Sequence, residues 1–379
     1  MKSTELTDRF RILFDHASDA HFILDESGVT DCNDATVALL KCRSKDEVLS
    51  IHPAKLSPKF QPDGRLSSEK SKEMDSIARA NGFHRFEWMH QKFDGEVFPV
   101  QVTLNAVEIN GKPGLIAVWH DLTEAKRAER SLKDLNARMT HELESAAEFQ
   151  RSLLPAVIQQ SDKFESAWFY KPCEELGGDS LNIFQIDESH VGFYVLDVTG
   201  HGVASALLSV TVTHFLSGSL NAHCPLEVVR NLNQHFSREN FKNHSFTLVY
   251  GILDLKERSF AYSSAGHLGP IKIKKDGSIR QFDSHGIPIG MMEEARYDRE
   301  VITLESGDRL FLISDGVYEA HNLKNEDLEL EGVYRHLKKE NLNDYPLEYT
   351  VNSLARTAYH WCSPKKPDDD ISIVGLEIK

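Results

Sequence analysis

Val191-Gly192-Phe193-Tyr194-Val195-Leu196-Asp197-Val198-Thr199-Gly200-His201-Gly202 is an apolar run that stops at a carboxylate and a glycine turn. The same pattern returns elsewhere in the chain. Asp179 follows Gly177-Gly178, Leu310-Phe311-Leu312-Ile313-Ser314 leads into Asp315 and Gly316, and Asp368-Asp369-Asp370 stands immediately before the apolar stretch Ile371–Ile378. An aspartate on a turn is ordinary, so any one of these sites passes as a turn former. An isolated carboxylate at the edge of a core is nevertheless costly to desolvate. Four such sites at strand ends point to a divalent cation held by oxygen ligands. No Cys or His pairing accompanies them, so the hard ions Mg²⁺ and Mn²⁺ suit the set better than Zn²⁺.

Around these aspartates, periodicity gives the elements. Asn182–Ile186, Val191–Asp197, Phe246–Leu253, Ser259–Ser264, Ile271–Lys274, Arg309–Ile313 and Ile371–Ile378 read as strands, and Val203–Leu216, Leu226–Phe241 and Leu347–Trp361 as helices. Two antiparallel sheets with helices outside accommodate that order.

The N-terminal segment carries hairpin signals. Phe83–Phe93 and Val97–Val107 alternate apolar and polar residues around Asp94-Gly95, and Asn110-Gly111 precedes Leu115–Trp119. Asp-Gly and Asn-Gly favour the positive φ values of tight hairpin turns, so a three-strand meander is expected. Ala20–Leu24 and Val29–Asn33 flank Glu26-Ser27-Gly28 as a further hairpin, with short helices at Ala35–Leu40 and Ser67–Ala80. The result is an α+β domain with one antiparallel sheet and a helical flank.

Between the two lies Leu122–Leu154, free of Gly and Pro and rich in helix formers. Its apolar positions Ala128, Leu132, Leu135, Met139, Leu143, Ala146, Phe149 and Leu153 step by 4, 3, 4, 4, 3, 3 and 4. Such spacing marks a coiled-coil seam, with an eleven-residue step that relaxes left-handed supercoiling. A parallel homodimer through this helix is expected, in preference to a single helix lying on its own protein. Its job would be to carry a twist or register change from the first domain to the third. The domains expected are therefore residues 1–121, 122–155 and 156–379.

The chain has 379 residues, with 43 Lys and Arg against 58 Asp and Glu, a net charge of −15. That balance argues against nucleic-acid binding. No apolar run reaches the ~18 residues of a membrane span, so no membrane partner is expected. The start of the chain has no apolar secretory region. Cys32, Cys42, Cys173, Cys224 and Cys362 are odd in number and scattered, which fits reduced thiols in a cytoplasmic protein.

The N-terminal order of two strands, small helices and a meander resembles a PAS sensor domain, as does the exit phrase His120-Asp121-Leu122-Thr123-Glu124-Ala125-Lys126. The resemblance covers about residues 7–125 and implies a haem, flavin or small-metabolite site, or a dimerisation module. No flavin-adduct cysteine motif is present; His21, His52, His84, His90 and His120 are in principle haem ligands, although a lone histidine is more often packed or on the surface. The PAS ligand is left open. Met139-Thr140-His141-Glu142-Leu143 resembles the phospho-acceptor box of sensor histidine kinases. The ATP-binding motifs of a kinase are not found downstream, so a kinase using His141 stands only as an alternative.

Six ordered blocks over residues 148–379 resemble the SpoIIE-like phosphatases, a branch of the metal-dependent protein phosphatase (PPM) family. They are Gly177-Gly178-Asp179, Asp197-Val198-Thr199-Gly200-His201-Gly202, Ala265-Gly266-His267, Gly286-Ile287-Pro288-Ile289-Gly290, Ser314-Asp315-Gly316-Val317-Tyr318-Glu319-Ala320 and Asp369-Asp370-Ile371-Ser372, preceded by Glu148-Phe149-Gln150-Arg151-Ser152-Leu153-Leu154-Pro155. The fold class implied is α+β multidomain: a PAS-like antiparallel sheet with flanking helices, a coiled-coil linker helix and a PPM-like β-sandwich with outer helices. The resemblance implies a phosphoserine or phosphothreonine phosphatase with two Mn²⁺ or Mg²⁺ ions. Asp197 would bridge both ions, the Val198 carbonyl would ligate one, Asp315 and Asp369 would complete the other, and Asp179 would act directly or through a water. Matching leaves Asp369 and Asp370 one residue apart as choices. His201 would protonate the leaving oxygen, or equally cap or pack the following helix. The substrate implied is a phosphorylated STAS-type anti-sigma-factor antagonist. One departure stands out: Asn182 occupies the second acidic position of the family's G-G-D-x-x-D, which puts an accessory metal site in doubt and keeps a non-catalytic signalling scaffold open as an alternative.

Overall fold

The computed structural model describes residues 9–379 apart from 10, 50, 110, 156–160, 219–222, 238–244 and 340–344. Asn110 of the second expected turn, and positions 238–241 of the helix expected to reach Phe241, lie outside the described residues. The chain forms two compact units, residues 1–138 and 139–379.

In the first unit, β1 (Ala20–Asp25), β2 (Gly28–Cys32), β3 (Phe83–Gln91), β4 (Val97–Ile109) and β5 (Lys112–Asp121) make one antiparallel sheet in the order β2-β1-β5-β4-β3. Gly95 between β3 and β4 has φ of 90°, the left-handed conformation its Asp-Gly turn requires. Helix α1 (Asp34–Leu40) starts where the Asn33 side chain accepts a hydrogen bond from the Thr36 N–H. It and α2 (Ser67–Asn81) flank a core built on Phe22, Trp88, Phe98, Val100 and Trp119.

Helix α3 (Thr123–Ser152) is one continuous element that begins in the first unit and ends in the second. Leu132, Leu135, Met139 and Phe149 of the apolar stripe are each more than half exposed. In the last turns the buried residues are Ala147 and Gln150, one position off that stripe. Leu143 of the stripe packs with Ala147 on Leu176 and Ala206, and from there the inward face continues through Gln150 while Phe149 stays exposed.

With β6 (Phe164–Lys171), β10 (Ser259–Ala265) and β11 (Ile271–Ile273) among its strands, the second unit is a sandwich of two five-stranded antiparallel sheets, β13-β10-β9-β8-β7 and β12-β11-β14-β15-β6. The strands that matter for the site are β7 (Ser180–Gln185), β8 (His190–Val198), β9 (Phe246–Asp254), β14 (Arg309–Ile313) and β15 (Ile371–Ile378). Phe193, Val195 and Val249 of one sheet meet Leu312, Val374 and Leu376 of the other in the central core. Tyr194 and Leu196, the alternate residues of β8, face outward and are covered by α4 (Val203–Ser217) and α5 (Pro225–Phe236). On the second sheet, α6 (Asp315–Tyr318), α7 (Glu329–Lys339) and α8 (Leu347–Cys362) close the other face over Phe311, Ile313 and Ile373. The sandwich with outer helices expected from the sequence is present. The strand β6, the short strands β12 (Ile279–Gln281) and β13 (Glu300–Thr303) and helix α7 have no counterpart among the elements expected from the sequence.

Candidate metal centre

Strand register gathers the aspartates. In the first sheet Ser180 pairs with Leu196, so Asp179 is level with Asp197. In the second sheet Ile313 pairs with Ile373, which brings Asp315 beside the residues that precede Ile371. Side-chain alternation continues the inward series Phe193, Val195 to Asp197, so this carboxylate points between the sheets. The four predicted sites thus converge from two sheets on one end of the sandwich.

The electrostatics report that convergence. Asp179 is buried, and its carboxyl is held well above the usual range by desolvation, then by the charges of Asp197, Asp370 and Asp315. Asp197 is pushed up to about 8 by burial, then by Asp315 and Asp369. Asp315 is pushed up to about 6 by burial, then by Asp369 and Glu319. Asp369 is also raised, by partial desolvation and then by Asp370 and Glu319. Asp179 Oδ2 is buried with no hydrogen-bond partner among the described residues. An orphaned carboxylate oxygen among mutually repelling carboxylates is what a cation would satisfy, so the residues fit a divalent metal.

The structure separates the two neighbouring aspartates. Asp370 Oδ1 accepts the Cys173 N–H at 2.8 Å and Oδ2 accepts the Asp179 N–H at 3.1 Å. Both of its oxygens are therefore engaged in holding the 173–179 loop. Asp369 lies at the exposed rim, facing Asp315 and Asp197. Asp369 Oδ1 accepts the Asp370 N–H at 2.7 Å, so of the two residues Asp370 is the one with both oxygens held by the loop. Cys173, expected only as one of the scattered reduced thiols, comes within 4.8 Å of both as a possible ligand atom. Burial and the Asp370 charge push its thiol up to about 12, so it stays protonated.

Two glycines make the loop possible. A Cβ on Gly177 would sit 2.5 Å from Asp370 Oδ2, and one on Gly178 would sit 2.9 Å from the Val198 carbonyl oxygen. The Val198 carbonyl expected as a ligand therefore lies directly against the Gly-Gly turn. The end of α3 holds the same turn: Gln150 Nε2 donates to the Gly177 carbonyl at 2.7 Å, and Gln150 Oε1 accepts the Gly177 N–H at 3.2 Å.

His201 is exposed, with Nδ1 3.1 Å from Glu174 Oε1. It neither packs in the core nor caps α4, whose N-cap is Gly202 without a side-chain hydrogen bond. Its charge acts on Asp369, which places it at the rim of the cage. Asn182 pairs with Tyr194 and lines the outer side of β7 with Phe184, Tyr194 and Leu216. It faces the helix layer, away from Asp179 and Asp197, so the departure from the acidic motif does not touch the cage.

In the first unit, a cavity of about 70 Å³ lies between α2 and the sheet, lined by Met74, Phe86, Trp88, His90 and Trp119. His90 is stacked on Trp119 with ring centroids 3.4 Å apart, and burial lowers its pKa to about 3. His52, another of the candidate histidines, lines the same cavity, while His120, paired with Asp19 at 2.8 Å, is on the exposed surface.

A two-sheet sandwich with outer helices and an aspartate cage at one end is the architecture of the PP2C-type phosphatase fold. The chain belongs to the Stage II sporulation protein E (SpoIIE) family, which it matches over residues 187–379, half of its length. Residues 18–124 match the PAS domain. Phosphoserine phosphatase RsbP of Bacillus subtilis (strain 168) is 30% identical over 185 residues, 47% of this chain and 45% of the relative. Phosphoserine phosphatase RsbU of the same organism is 25% identical over 234 residues, 61% of this chain and 68% of the relative. The match thus spans about half the length of the first of these relatives. Among solved structures, the SiaA-PP2C domain of Pseudomonas aeruginosa aligns with a TM-score of 0.57 at 18% identity, covering 65% of this chain and 99% of that one. The PP2C phosphatase domain of SpoIIE from Bacillus subtilis, with a fragment of its regulatory domain, aligns with a TM-score of 0.50 at 16% identity, covering 82% and 90%. Among the described residues no helix is long and apolar enough to cross a membrane.

Proposed function

We propose that this chain is a PAS-regulated, metal-dependent phosphatase that hydrolyses phosphoserine or phosphothreonine on a partner protein. The single observation that carries the reading is the gathering of Asp179, Asp197, Asp315 and Asp369 into one cage with an orphaned buried oxygen. Asp197, Asp315, Asp369 and the Val198 carbonyl would hold two Mn²⁺ or Mg²⁺ ions, with Asp179 completing the set. When bound, such a pair lowers the pKa of a shared water and neutralises charge on the phosphoryl oxygens. Asp370 keeps the Asp179 loop in place. His201, oriented by Glu174 at the rim, is placed to give a proton to the departing serine oxygen.

The substrate we infer is a phosphorylated STAS-type anti-sigma-factor antagonist in the cytoplasm, consistent with the phosphoserine phosphatases among the relatives. The exposed stripe of Leu132, Leu135 and Met139 supports a homodimer through α3, by which the state of the PAS-like unit reaches the Gly177 turn. The scaffold alternative rested on Asn182, which faces the wrong side to matter, and the kinase alternative at the exposed His141 gives way to the family match downstream.

The test is turnover of p-nitrophenyl phosphate and of a phosphorylated STAS protein by the purified chain with Mn²⁺. Activity with both that disappears in Asp197→Asn and Asp315→Asn supports the reading. A folded, manganese-saturated protein that turns over neither substrate refutes it.

A further inference from the structure

A second set of ligand-type side chains lies at the far end of β8 from Asp197. Asp187, in the β7–β8 turn, accepts the backbone N–H groups of Ser189 and His190 at Oδ1, at 2.7 and 2.9 Å. Its Oδ2 lies 2.8 Å from His190 Nδ1 and 3.6 Å from His223 Nδ1. One ligand atom from each of the three residues falls within 4.8 Å of the other two. The other ring nitrogen of His190, Nε2, faces Asp254 Oδ2 at the end of β9, 3.5 Å away.

These distances suit a small tetrahedral ion. Bonds of about 2.0–2.1 Å to nitrogen and oxygen put neighbouring ligand atoms about 3.3 Å apart, between the two separations found here. Metal-bound histidines characteristically hand their second nitrogen to a carboxylate, the position Asp254 holds toward His190. Two imidazoles with one carboxylate favour zinc over the hard ions suited to the aspartate cage. The turn is already fixed by its backbone hydrogen bonds, while His223 is more than half exposed, so an ion has both a formed seat and a way in.

We propose that Asp187, His190 and His223 form a zinc site, with Asp254 orienting His190, that fastens the β7–β8 turn to the start of α5. The site is separate from the aspartate cage and independent of whether that cage is catalytic. The alternative occupant is a proton, which would leave an ordinary ion pair between His190 and Asp187.

The experiment uses the full chain carrying Asp197→Asn and Asp315→Asn, which disable the cage, in excess Mg²⁺. Zinc uptake is read by equilibrium dialysis, and cobalt(II) substitution by its visible absorption. One zinc per chain and a tetrahedral cobalt spectrum are expected. Adding His223→Ala, at an exposed position that spares the fold, should weaken binding at least about tenfold and abolish the spectrum. His190→Gln should do the same, with folding checked by circular dichroism. A cage-disabled chain that takes up no zinc overturns the proposal. So does zinc binding that is unchanged in both histidine variants.

Discussion

In residues 1–138 the imidazole of His90 is buried and neutral, lying flat against Trp119 with its Nδ1 directed at the Leu56 carbonyl. In residues 139–379 Asp179, Asp197, Asp315 and Asp369 crowd the end of a sandwich, where burial and neighbouring carboxylate charge raise each of them. The first arrangement is satisfied by the protein alone. The second is not, because like charges brought out of water repel until something of opposite sign arrives. One unit has placed an ionisable residue where it is a packing element, and the other where it is an unfinished binding site.

The sharpest way to break this contrast is to remove charge from the cage. Asp197→Asn is expected to lower phosphatase turnover by about 10²–10³-fold, the scale for deleting one preorganised charge-stabilising group, with unchanged hydrogen-exchange protection of the first unit. Metal-free Asp197→Asn should melt no lower than the parent chain, since it relieves repulsion.

Asp369 and Asp370 divide the same way within the cage. Asp370→Ala strips the Cys173 and Asp179 N–H groups of their acceptor and should cost about 2–4 kcal/mol in a denaturant titration of the second unit. Asp369→Asn should leave that midpoint within about 0.5 kcal/mol while reducing turnover. Equal destabilisation by both would merge their roles.

Acidity separates the units next. Asp197 and Asp315 have folded pKa values of about 8 and about 6, above the ordinary value of 3.8. The folded chain therefore binds protons that the unfolded chain lacks, and metal-free stability rises as pH falls from about 8 toward 4. His90 works in the opposite sense. Its folded pKa of about 3 lies below the ordinary 6.5, so its stability is complete above 6.5 and is lost as pH drops below it. His267, lowered to about 4 by burial, adds the same loss in the second unit. Between pH 8 and 6.5, metal-free hydrogen-exchange protection should grow in the second unit by up to about 1.4 kcal/mol per proton and pH unit, and stay flat in the first. Saturating Mn²⁺ should remove that slope.

The smallest effect is expected at Asn182. Asn182→Asp restores the acidic motif but on the helix-facing side of β7, so turnover should stay within about twofold. A large gain would mean that this strand face does reach the cage.

What could be read from the sequence follows from where the information sits. The hairpin at Asp94-Gly95 is local turn chemistry, and it appears at its expected place. Asp179, Asp197 and Asp315 were visible because a carboxylate beside a glycine at the end of an apolar strand is an unusual local pattern, whereas Asp369 came only from the motif resemblance, which left Asp370 as the other choice. The strand β13, Glu300–Thr303, is short and lies at a sheet edge with one buried residue, so no alternation announced it. Helix α7 opens at Glu329, whose φ of 57° belongs to no helix-start signal. The anchoring role of Asp370 depends on an N–H at Cys173, 197 positions away, and only the pairing of β15 with β6 brings them together. The same holds for Gln150, which the sequence showed only as part of a motif.

That glutamine sets how finely the second unit can sense its helix. A carboxamide carries a donor nitrogen and an acceptor oxygen in fixed order; Gly177 answers one N–H and the oxygen with a single residue's backbone, and Ser209 Oγ lies 3.2 Å from the same nitrogen. Rotating α3 by one residue turns a side chain about 100° around the axis, with no intermediate setting that keeps both contacts. If α3 relays the state of the PAS-like unit as proposed, that grip on the glycine turn would be held or released, and a gradual change at the far end of α3 would arrive there as a step.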